Sequence, residues 1–434
     1  MFNIQRKGEI MSERIQSVKI LQTIIEEKVF YNTLKSQISD KNIAFCNTLV
    51  LTALRHLTAI EKIIKKFVVK KIPQKHNILK YVLLASITEL MFLKSPDYAV
   101  INEYVNIAKK NTDKYAANMI NAVLRKIASL KSELKTDSQL PENFFKILQK
   151  DYSKEQIKQI AKSVLSEAPL DLTIKENHEF WAKELNGTLF ANGTLRLSNP
   201  KSKISDLKGY DQGHWWVQDL AASLPVMLLG DVTNKKVLDL CAAPGGKTAQ
   251  LLTKGAMVTA VDIDASRMER LKQNIERLKL EENLTTHVSD ASEFLSNNQN
   301  TFDIIVLDAP CSATGTFRKH PEVLHLKNIE DVNRQVELQQ KLLKQALASI
   351  KTDGIVLYCT CSISKSEGEQ VVKHVLENTP NTSLLAAKIT DINKINGKNL
   401  SDNVIDNGVL RTLPYYEENH GGMDSFFAAL IQKK

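Results

Sequence analysis

The chain has 434 residues, of which 43% are hydrophobic and 25% are charged, and its net charge at pH 7 is +9. These values are typical of globular proteins and exclude wholesale disorder and a fibrous repeat. No uninterrupted apolar run reaches the roughly 20 residues that span a bilayer, and the first residues lack the apolar core of a secretory signal. Five unevenly spread cysteines suit a reducing compartment, so we expect a cytoplasmic protein that is neither secreted nor in a membrane.

The basic excess is confined to the first third of the chain. Residues 1–140 hold 23 Lys and Arg against 12 Asp and Glu, a net charge of +11, whereas the remainder has a net charge of −2. Such asymmetry is typical of a polyanion-binding module joined to a module of another kind. A lysine-rich composition with solvated helix faces is the alternative. Seven lysines form the predicted phosphate-facing surface: Lys62, Lys65, Lys66, Lys70, Lys71, Lys75 and Lys80.

The spacing of apolar residues predicts three parts. Helical spacing without an alternating strand predicts an all-α domain over 1–137. A polar stretch with a proline ends it, and the short mixed segment that follows predicts a small α+β connector over 138–210. From about Gly230, β-branched runs alternate with amphipathic helices, which is typical of βαβ units and a parallel sheet, so 211–434 is predicted as an α/β domain. The predicted strands include VLDL at 237–240, MVTAV at 257–261, DIIVLD at 303–308 and GIVLY at 354–358.

The first motif, VLDLCAAPGGKT at 237–248, joins a strand to a helix through a glycine-bearing turn. Gly245 and Gly246 let the backbone approach a ligand closely, and the helix N-terminus supplies N–H donors. The motif ends like a Walker A loop, but Cys241 stands where that loop needs a glycine, and no GxGxxG is present. The motif therefore predicts a ligand site, with little support for ATP or a dinucleotide.

Acidic residues follow the next two strands. Asp262 lies 16 residues beyond Gly246, at the position where α/β nucleotide-binding folds place a carboxylate for ribose hydroxyls. Asp290, after the strand TTHV, is placed to reach an adenine in the same way. A turn or a helix cap is the alternative role for either residue. Combined with the glycine turn, the two residues predict an adenosine-type cofactor across these strand ends.

Two cysteines lie on loops at the same edge of the predicted sheet. LDAPCSATGTFRKHPE at 307–322 places Asp308 and Cys311 there, and YCTCS at 358–362 places Cys361 after the next strand. Open α/β sheets hold their active sites at this edge. A buried cysteine is usually a small hydrophobe, but two thiols beside a nucleotide-type site predict catalysis. The CxC pair in YCTCS has no second pair and no histidines at ligand spacing, so no metal is expected.

These motifs together carry a resemblance. The chain resembles the RNA cytosine-C5 methyltransferases that use S-adenosylmethionine, because it contains the motifs of that family in the same order and at approximately the same spacing. These motifs are DLCAAPGGKT, VDID, DAPCSATG and TCS. HWWVQDLAAS at 214–223 and DSFFAALI at 424–431 match weaker blocks of that family. The helical part resembles the fold of the antitermination factor NusB, a combination typical of bacterial 16S rRNA methyltransferases of the Sun/Fmu type. The resemblance implies a NusB-like all-α RNA-binding domain, a connector and a Rossmann-like methyltransferase domain.

The resemblance also implies a reaction, the methylation of C5 of a 16S rRNA cytosine (cytosine 967) through an adduct between a cysteine and C6. It implies Cys361 as the nucleophile, Cys311 in product release and Asp308 in orienting the base. S-adenosylmethionine is the implied cofactor, 16S ribosomal RNA is the implied partner, and we expect a monomer. The residues expected to bind the cofactor are Cys241, Ala242, Ala243, Pro244, Gly245, Gly246, Lys247, Asp262, Asp290 and Asp308.

Three other functions are weighed against this one. The helical domain disfavours a tRNA cytosine-C5 methyltransferase, because many such enzymes lack it. The intact pair of cysteines and the intact glycine turn disfavour a catalytically silent RNA-binding assembly factor. A DNA cytosine methyltransferase is disfavoured because its nucleophile belongs to a PC motif, and the TC cysteine has no such role there.

Overall fold

The computed structural model describes residues 12–69, 71–134, 136–137, 139–198 and 202–434. These residues form two compact units. The helical unit comprises the described residues up to Lys146, with 157–165 and 319–327. The sheet unit comprises 147–156, 166–318 and 328–434. The division into three parts at 137/138 and 210/211 stays a prediction.

Helices account for the secondary structure of the first third, as the apolar spacing predicts. Their bounds are α1 Glu13–Glu27, α2 Tyr31–Leu34, α3 Ile43–Arg55, α4 Leu57–Phe67, α5 Ile78–Phe92, α6 Asp97–Asn111 and α7 Lys114–Leu130. Two more helices follow, α8 Glu142–Leu148 and α9 Lys154–Val164. Within the described ranges no single helix is long and apolar enough to cross a membrane, although α3 and α4, bent by 76° at their junction, pass that test as a pair.

The core of the helical unit surrounds α5, which is apolar on nearly every side and packs against α1, α3, α4, α6 and α7. One carboxylate lies inside this core. Glu89 is fully buried and accepts hydrogen bonds from the Arg14 guanidinium at 2.6 and 3.0 Å and from the Tyr104 hydroxyl at 3.1 Å. A buried charge is tolerated when it is paired and hydrogen-bonded in this way.

A small antiparallel sheet begins the larger unit, with the strand order β2-β3-β1-β4. Its strands are β1 Leu170–Ile174, β2 Thr188–Leu189, β3 Thr194–Leu197 and β4 Trp215–Val217, and α10 spans His178–Glu184. Leu172, Leu195 and Trp215 are fully buried in its core. The fourth strand lies beyond residue 210, the predicted end of the connector.

The second sheet has nine strands, eight of them in the order β11-β12-β13-β9-β8-β5-β6-β7, with β10 paired to β13. The five strands from β7 to β9 are parallel, and β13 runs antiparallel to β9. The strands are β5 Lys236–Leu240, β6 Met257–Asp262, β7 Leu284–Val288, β8 Ile304–Asp308, β9 Ile355–Thr360, β10 Thr382–Leu385, β11 Ile405–Asp406, β12 Val409–Arg411 and β13 Phe427–Lys433.

Helices cover both faces of this sheet and bury a core on each side. Their bounds are α11 Leu220–Met227, α12 Gly246–Thr253, α13 Ala265–Leu278, α14 Ala291–Asn297, α16 Ile329–Ser349 and α17 Glu369–Glu377, whereas α15 Val323–Leu326 belongs to the helical unit. The predicted strands are confirmed to within two residues at each end, and the Rossmann-like prediction holds. The strands after β9 differ from the purely parallel sheet that the βαβ pattern indicates, because β10 to β13 follow one another without an α-helix that would carry the chain across the sheet.

Candidate active site

Parallel pairing brings the predicted motifs to one edge of the large sheet. β5 lies between β6 and β8, so Leu240 pairs with both Val261 and Leu307. β9 lies beyond β8, and Asp308 pairs with Cys359. The loops that carry the glycines, acids and thiols therefore leave the sheet side by side, although their positions in the sequence are far apart.

The glycine turn after β5 depends on a left-handed backbone conformation. Gly245 has φ = 101°, and a Cβ there would lie 2.9 Å from Cγ of Leu271. α12 begins at the next residue, and its Thr248 hydroxyl donates to the buried carboxylate of Asp239 at 2.6 Å. Burial raises the pKa of Asp239 to about 7, although the Thr248 hydrogen bond opposes the shift.

The two strand-end acids have different surroundings. Asp262, which is 2% exposed, accepts hydrogen bonds from the backbone N–H groups of Ala243 at 3.1 Å and Asp264 at 3.0 Å. The Arg267 guanidinium lies 3.5 Å from the same carboxylate. Asp290 caps α14 and accepts from backbone N–H groups of its first turn. Asp290 is therefore a helix cap, which was the alternative role, and it also faces one of the cavities described below.

Asp308 and Lys247 form an ion pair at the end of β8. Lys247 is 8% exposed, its Nζ lies 2.7 Å from Oδ2 of Asp308, and its ammonium faces the Phe426 ring at 4.8 Å. Burial alone would lower the pKa of Lys247, but the neighbouring Asp308 charge outweighs burial and raises it. Lys247 therefore stays charged and holds Asp308 in place.

The two predicted catalytic thiols are neighbours. Sγ of Cys311 lies 3.3 Å from Sγ of Cys361. The hydrogen bond to Cys361, and after it burial, raises the pKa of Cys311. Burial followed by nearby acids raises the pKa of Cys359, and the same causes raise that of Cys241 to about 12. At neutral pH these three groups are thiols rather than thiolates.

Two short segments carry the paired cysteines, and we call residues 309–313 the β8 loop and residues 361–364 the β9 loop. Gly315, two residues after the β8 loop, connects that loop to the β9 loop, because its backbone N–H donates a hydrogen bond to the Cys361 carbonyl at 2.9 Å. A Cβ at Gly315 would lie 2.2 Å from the Ser425 carbonyl oxygen, so no side chain fits there. The close approach of three backbone segments requires a glycine at this position.

Two cavities meet at Cys361. The acidic cavity, of about 600 Å³, is lined by residues that include Cys241, Asp262, Ile263, Asp290, Pro310 and Cys311. The lysine cavity, of about 520 Å³, is lined by residues that include Tyr210, Gln218, Gly246, Lys247, Arg277 and Phe426. Ala243, Asp308 and Cys361 line both cavities and form their shared wall.

Every predicted site residue lines at least one of these cavities. Five of the residues expected to bind the cofactor line the lysine cavity alone, namely Ala242, Pro244, Gly245, Gly246 and Lys247. Sequence reasoning gave no role to Gln218 and Phe426, which lie in the two weaker blocks, or to Tyr210 and Arg277, for which no motif gave a signal. The described residues contain no group of three His, Cys, Asp or Glu placed to hold a metal ion.

The predicted lysine surface of the helical unit is largely solvent-exposed. Lys62, Lys65, Lys66, Lys71 and Lys75 are exposed. Lys80 is half-buried and pairs with Glu61 at 3.5 Å, while Lys70 lies outside the described residues. Lys71 and Lys75 also line a cavity of about 480 Å³ that the exposed ring of Tyr115 borders.

Two family models match the chain. The model described as 16S rRNA methyltransferase RsmB/F matches residues 226–432, and the NusB family model matches residues 11–129. The ribosomal RNA small subunit methyltransferase B of Photorhabdus laumondii is 32% identical over 379 residues, which are 82% of this chain and 87% of that protein. The same-named protein of Yersinia pestis is 30% identical over 92% of this chain and 93% of its own length.

Solved structures share the fold. The crystal structure of PH0851 covers 98% of this chain and all of its own chain, with a TM-score of 0.75 and 21% identity. A methyltransferase homolog protein from Pyrococcus horikoshii covers 68% of this chain and all of its own, with a TM-score of 0.53 and 26% identity. NSun6 from the same organism, crystallised with SFG, covers 68% of this chain and 99% of its own, with a TM-score of 0.54 and 19% identity.

Proposed function

We propose, for a chain that belongs to the family of the 16S rRNA methyltransferases RsmB/F, that it methylates C5 of a cytosine in 16S ribosomal RNA, cytosine 967 by the family resemblance. The methyl donor of this family is S-adenosylmethionine. The main observation behind the proposal is that Cys361 and Asp308 line both cavities. A donor in one cavity and a base in the other both reach the wall that the cavities share.

The acidic cavity has the chemistry that S-adenosylmethionine requires. The Asp262 carboxylate has about four acceptor sites; two backbone N–H groups use two of them and the Arg267 guanidinium lies 3.5 Å away, which leaves room for ribose hydroxyls. Ile263 is 70% exposed beside it and offers an apolar surface to an adenine ring. The cofactor supplies a methyl group on a positively charged sulfur, and Asp262, Asp290 and Asp308 give this cavity its negative potential.

The lysine cavity is the one we assign to the target base, which must leave its stack to be reached. This assignment does not use the expected cofactor contacts of the five glycine-turn residues that line this cavity alone, and those contacts stay a prediction. Asp308 borders it, and its carboxylate is suited to hold the N3/N4 edge of cytosine. The Asp308–Lys247 ion pair fixes the orientation of that carboxylate. Phe426, under the Lys247 ammonium, adds an aromatic surface on which a base can stack.

The reaction needs a nucleophile because C5 of cytosine is too electron-poor to attack a methyl group directly. Cys361 Sγ, with its proton given up to solvent, would bond to C6 and move the C5–C6 electron pair onto C5. C5 would then bond to the methyl carbon as the bond between that carbon and the sulfonium sulfur breaks, and the demethylated donor would leave with that electron pair. Transfer of the C5 proton to water leaves its electron pair to restore the C5–C6 double bond, and the C6–S bond breaks with its electron pair returning to the Cys361 sulfur. Because its raised pKa keeps Cys311 protonated, its S–H is placed to donate to the departing Cys361 sulfur at 3.3 Å.

The helical unit supplies the contact with RNA in this proposal. Its exposed lysines pair with phosphates and release counterions, which makes binding strong at low salt and insensitive to sequence. The exposed Tyr115 ring beside Lys71 and Lys75 adds a surface for an unpaired base. Target choice then depends on RNA shape and on the lysine cavity.

Bisulfite sequencing of RNA from a deletion strain tests the proposal. We expect one 16S rRNA cytosine to lose its methyl group and to regain it with the wild-type gene but not with Cys361→Ala. Loss at a tRNA cytosine instead would make the protein a tRNA methyltransferase. An unchanged methylation map with altered ribosome assembly would indicate a silent assembly factor.

A further inference from the structure

One buried carboxylate joins the two cysteine loops. Glu367, in the short 3₁₀ turn Lys365–Glu367, is fully buried. Its Oε1 accepts from the backbone N–H of Ser312 at 2.8 Å, and its Oε2 accepts from the hydroxyls of Ser312 and Ser362 at 2.5 Å each. Ser312 follows Cys311 directly, and Ser362 follows Cys361. The residue after each thiol therefore donates a side-chain hydrogen bond to the Glu367 carboxylate.

The carboxylate is itself fixed from two sides. The Gln339 amide of α16 donates to Oε1 at 3.1 Å and to the Pro310 carbonyl in the β8 loop at 2.8 Å. The Tyr358 hydroxyl of β9 donates to the Glu367 backbone carbonyl at 2.7 Å. Among the described residues no basic side chain pairs with Glu367, so neutral donors alone satisfy its charge. Such a group costs free energy to bury unless its acceptor sites are filled, as they are here.

We propose that Glu367 is a positioning residue for the methylation, which holds Cys311 and Cys361 at the separation that the reaction requires. The inference rests on the proposed function, since that function gives the two thiols separate roles. Glu367 lines neither cavity, so it acts through the loops and not on RNA or the methyl donor. Its charge also helps to keep Cys311 protonated, after the hydrogen bond to Cys361 and burial.

Two substitutions separate position from charge. Glu367→Gln keeps the reach of the side chain and removes the charge, whereas Glu367→Asp keeps the charge and shortens the reach by one methylene group. For both variants we expect kcat to fall about ten- to a hundred-fold, the size of a hydrogen bond to a charged group, with unchanged KM for RNA and for the methyl donor. The fraction of enzyme trapped as a covalent RNA adduct should rise in both variants, because release requires Cys311 in place, which Glu367→Asp disturbs, and protonated, which Glu367→Gln weakens.

Two thiol measurements identify the cause. Dibromobimane, which bridges neighbouring thiols, should cross-link Cys311 to Cys361 in the wild-type protein and in Glu367→Gln, but poorly in Glu367→Asp. Alkylation of Cys311, followed by mass spectrometry of its peptide, should begin at lower pH in Glu367→Gln and at the wild-type pH in Glu367→Asp. Glu89→Gln is the matched control, a fully buried carboxylate of the helical unit, and should lower the melting temperature without changing either thiol measurement.

The inference is overturned if the wild-type thiols do not cross-link, or if both Glu367 variants keep wild-type kcat, adduct fraction and cross-linking while only their melting temperature falls. The proposed function fails in a different way. A wild-type protein that cross-links as expected but methylates no RNA would refute the methyltransferase activity, whereas active wild-type protein with unaffected Glu367 variants would refute the role of Glu367 alone.

Discussion

The two units of this protein carry their charge in opposite ways. The helical unit carries its basic excess on exposed lysines and buries one paired carboxylate, Glu89, while the sheet unit buries several ionisable groups, such as Lys247, Asp239 and Glu367. Exposed charges act through a screened field, so salt weakens their effect. Buried charges stay in fixed positions and set the protonation of their neighbours, so pH changes their effect. We therefore expect the proposed binding of RNA and the proposed reaction with it to be separable properties of one chain.

The largest effect is expected for the nucleophile. Cys361→Ala should reduce turnover on the order of a thousand-fold or more, since residues that form the covalent bond give losses of this size. No adduct with RNA should form. Cys311→Ala should still form the adduct but release it slowly, so a protein–RNA complex should survive denaturing gel electrophoresis.

The double variant checks the assignment, because the adduct seen in Cys311→Ala should vanish when Cys361 is also replaced. The reversed pattern, with the adduct trapped by Cys361→Ala, would make Cys311 the nucleophile. If both single variants stay active and are destabilised by only about 1 kcal/mol, the thiols are ordinary core residues.

The next effect concerns the methyl donor. Asp262→Ala removes a charged acceptor from the acidic cavity and should weaken S-adenosylmethionine binding by about 1–3 kcal/mol. Isothermal titration calorimetry measures this loss. Asp264→Ala, which removes only the exposed cap of α13, is the control and should bind normally. Unchanged affinity in folded Asp262→Ala would remove Asp262 from the site.

The stability of the two units should respond to pH in opposite directions. Burial lowers the pKa of His56 to about 4 in the helical unit, so the unfolded chain takes up a proton below pH 6.5 that the folded chain refuses. Acid therefore destabilises this unit between about pH 6.5 and 4. Asp239 keeps its proton to about pH 7 when folded but loses it near 3.8 when unfolded, so stability falls as the pH rises through that range.

Two variants test this contrast by thermal unfolding at several pH values. His56→Phe keeps the stacking on Phe92, whose ring lies 3.8 Å away, and should reduce the loss of stability in acid. Asp239→Asn should gain stability over the wild type as the pH rises, by more than 1 kcal/mol at pH 7, because one pKa unit is worth about 1.4 kcal/mol. If the melting temperatures of the wild type and a variant change with pH in parallel, the pKa shift of the replaced residue is refuted.

The smallest effect is expected for a single exposed lysine. Lys75→Gln removes one of the proposed phosphate contacts, so RNA affinity should fall only a few-fold and the slope of log affinity against log salt should decrease by just under one. Filter binding of the full chain to a 16S rRNA fragment measures both quantities. Lys373→Gln, on an exposed helix of the sheet unit, is the control. Equal effects of the two substitutions would argue against a dedicated RNA surface on the helical unit.

The sequence predicts the parts of this protein that repeat a local pattern. The spacing of apolar residues and the turn residues between them locate the helices and the five parallel strands. Because parallel strands end at the same edge of the sheet, Asp262, Asp308 and Cys361 must then lie close together. The paired strand β13 was not predicted, because antiparallel pairing near the C-terminus leaves no crossover helix as a signal. Glu367 was not predicted either, since an acidic residue in a polar turn looks solvent-exposed until the packing around it is known.

The shared wall of Ala243, Asp308 and Cys361 bears on the order in which the methyl donor and the RNA can bind. Each cavity has its own exposed rim, at Ile263 on one side and at Val217 on the other. In the proposed assignment, neither the methyl donor nor the target base has to pass through the cavity of the other to reach Cys361. Under the proposed assignment of the two cavities, we therefore expect no obligatory order of binding for the methyl donor and the RNA, and exchange of a spent donor while the RNA stays bound.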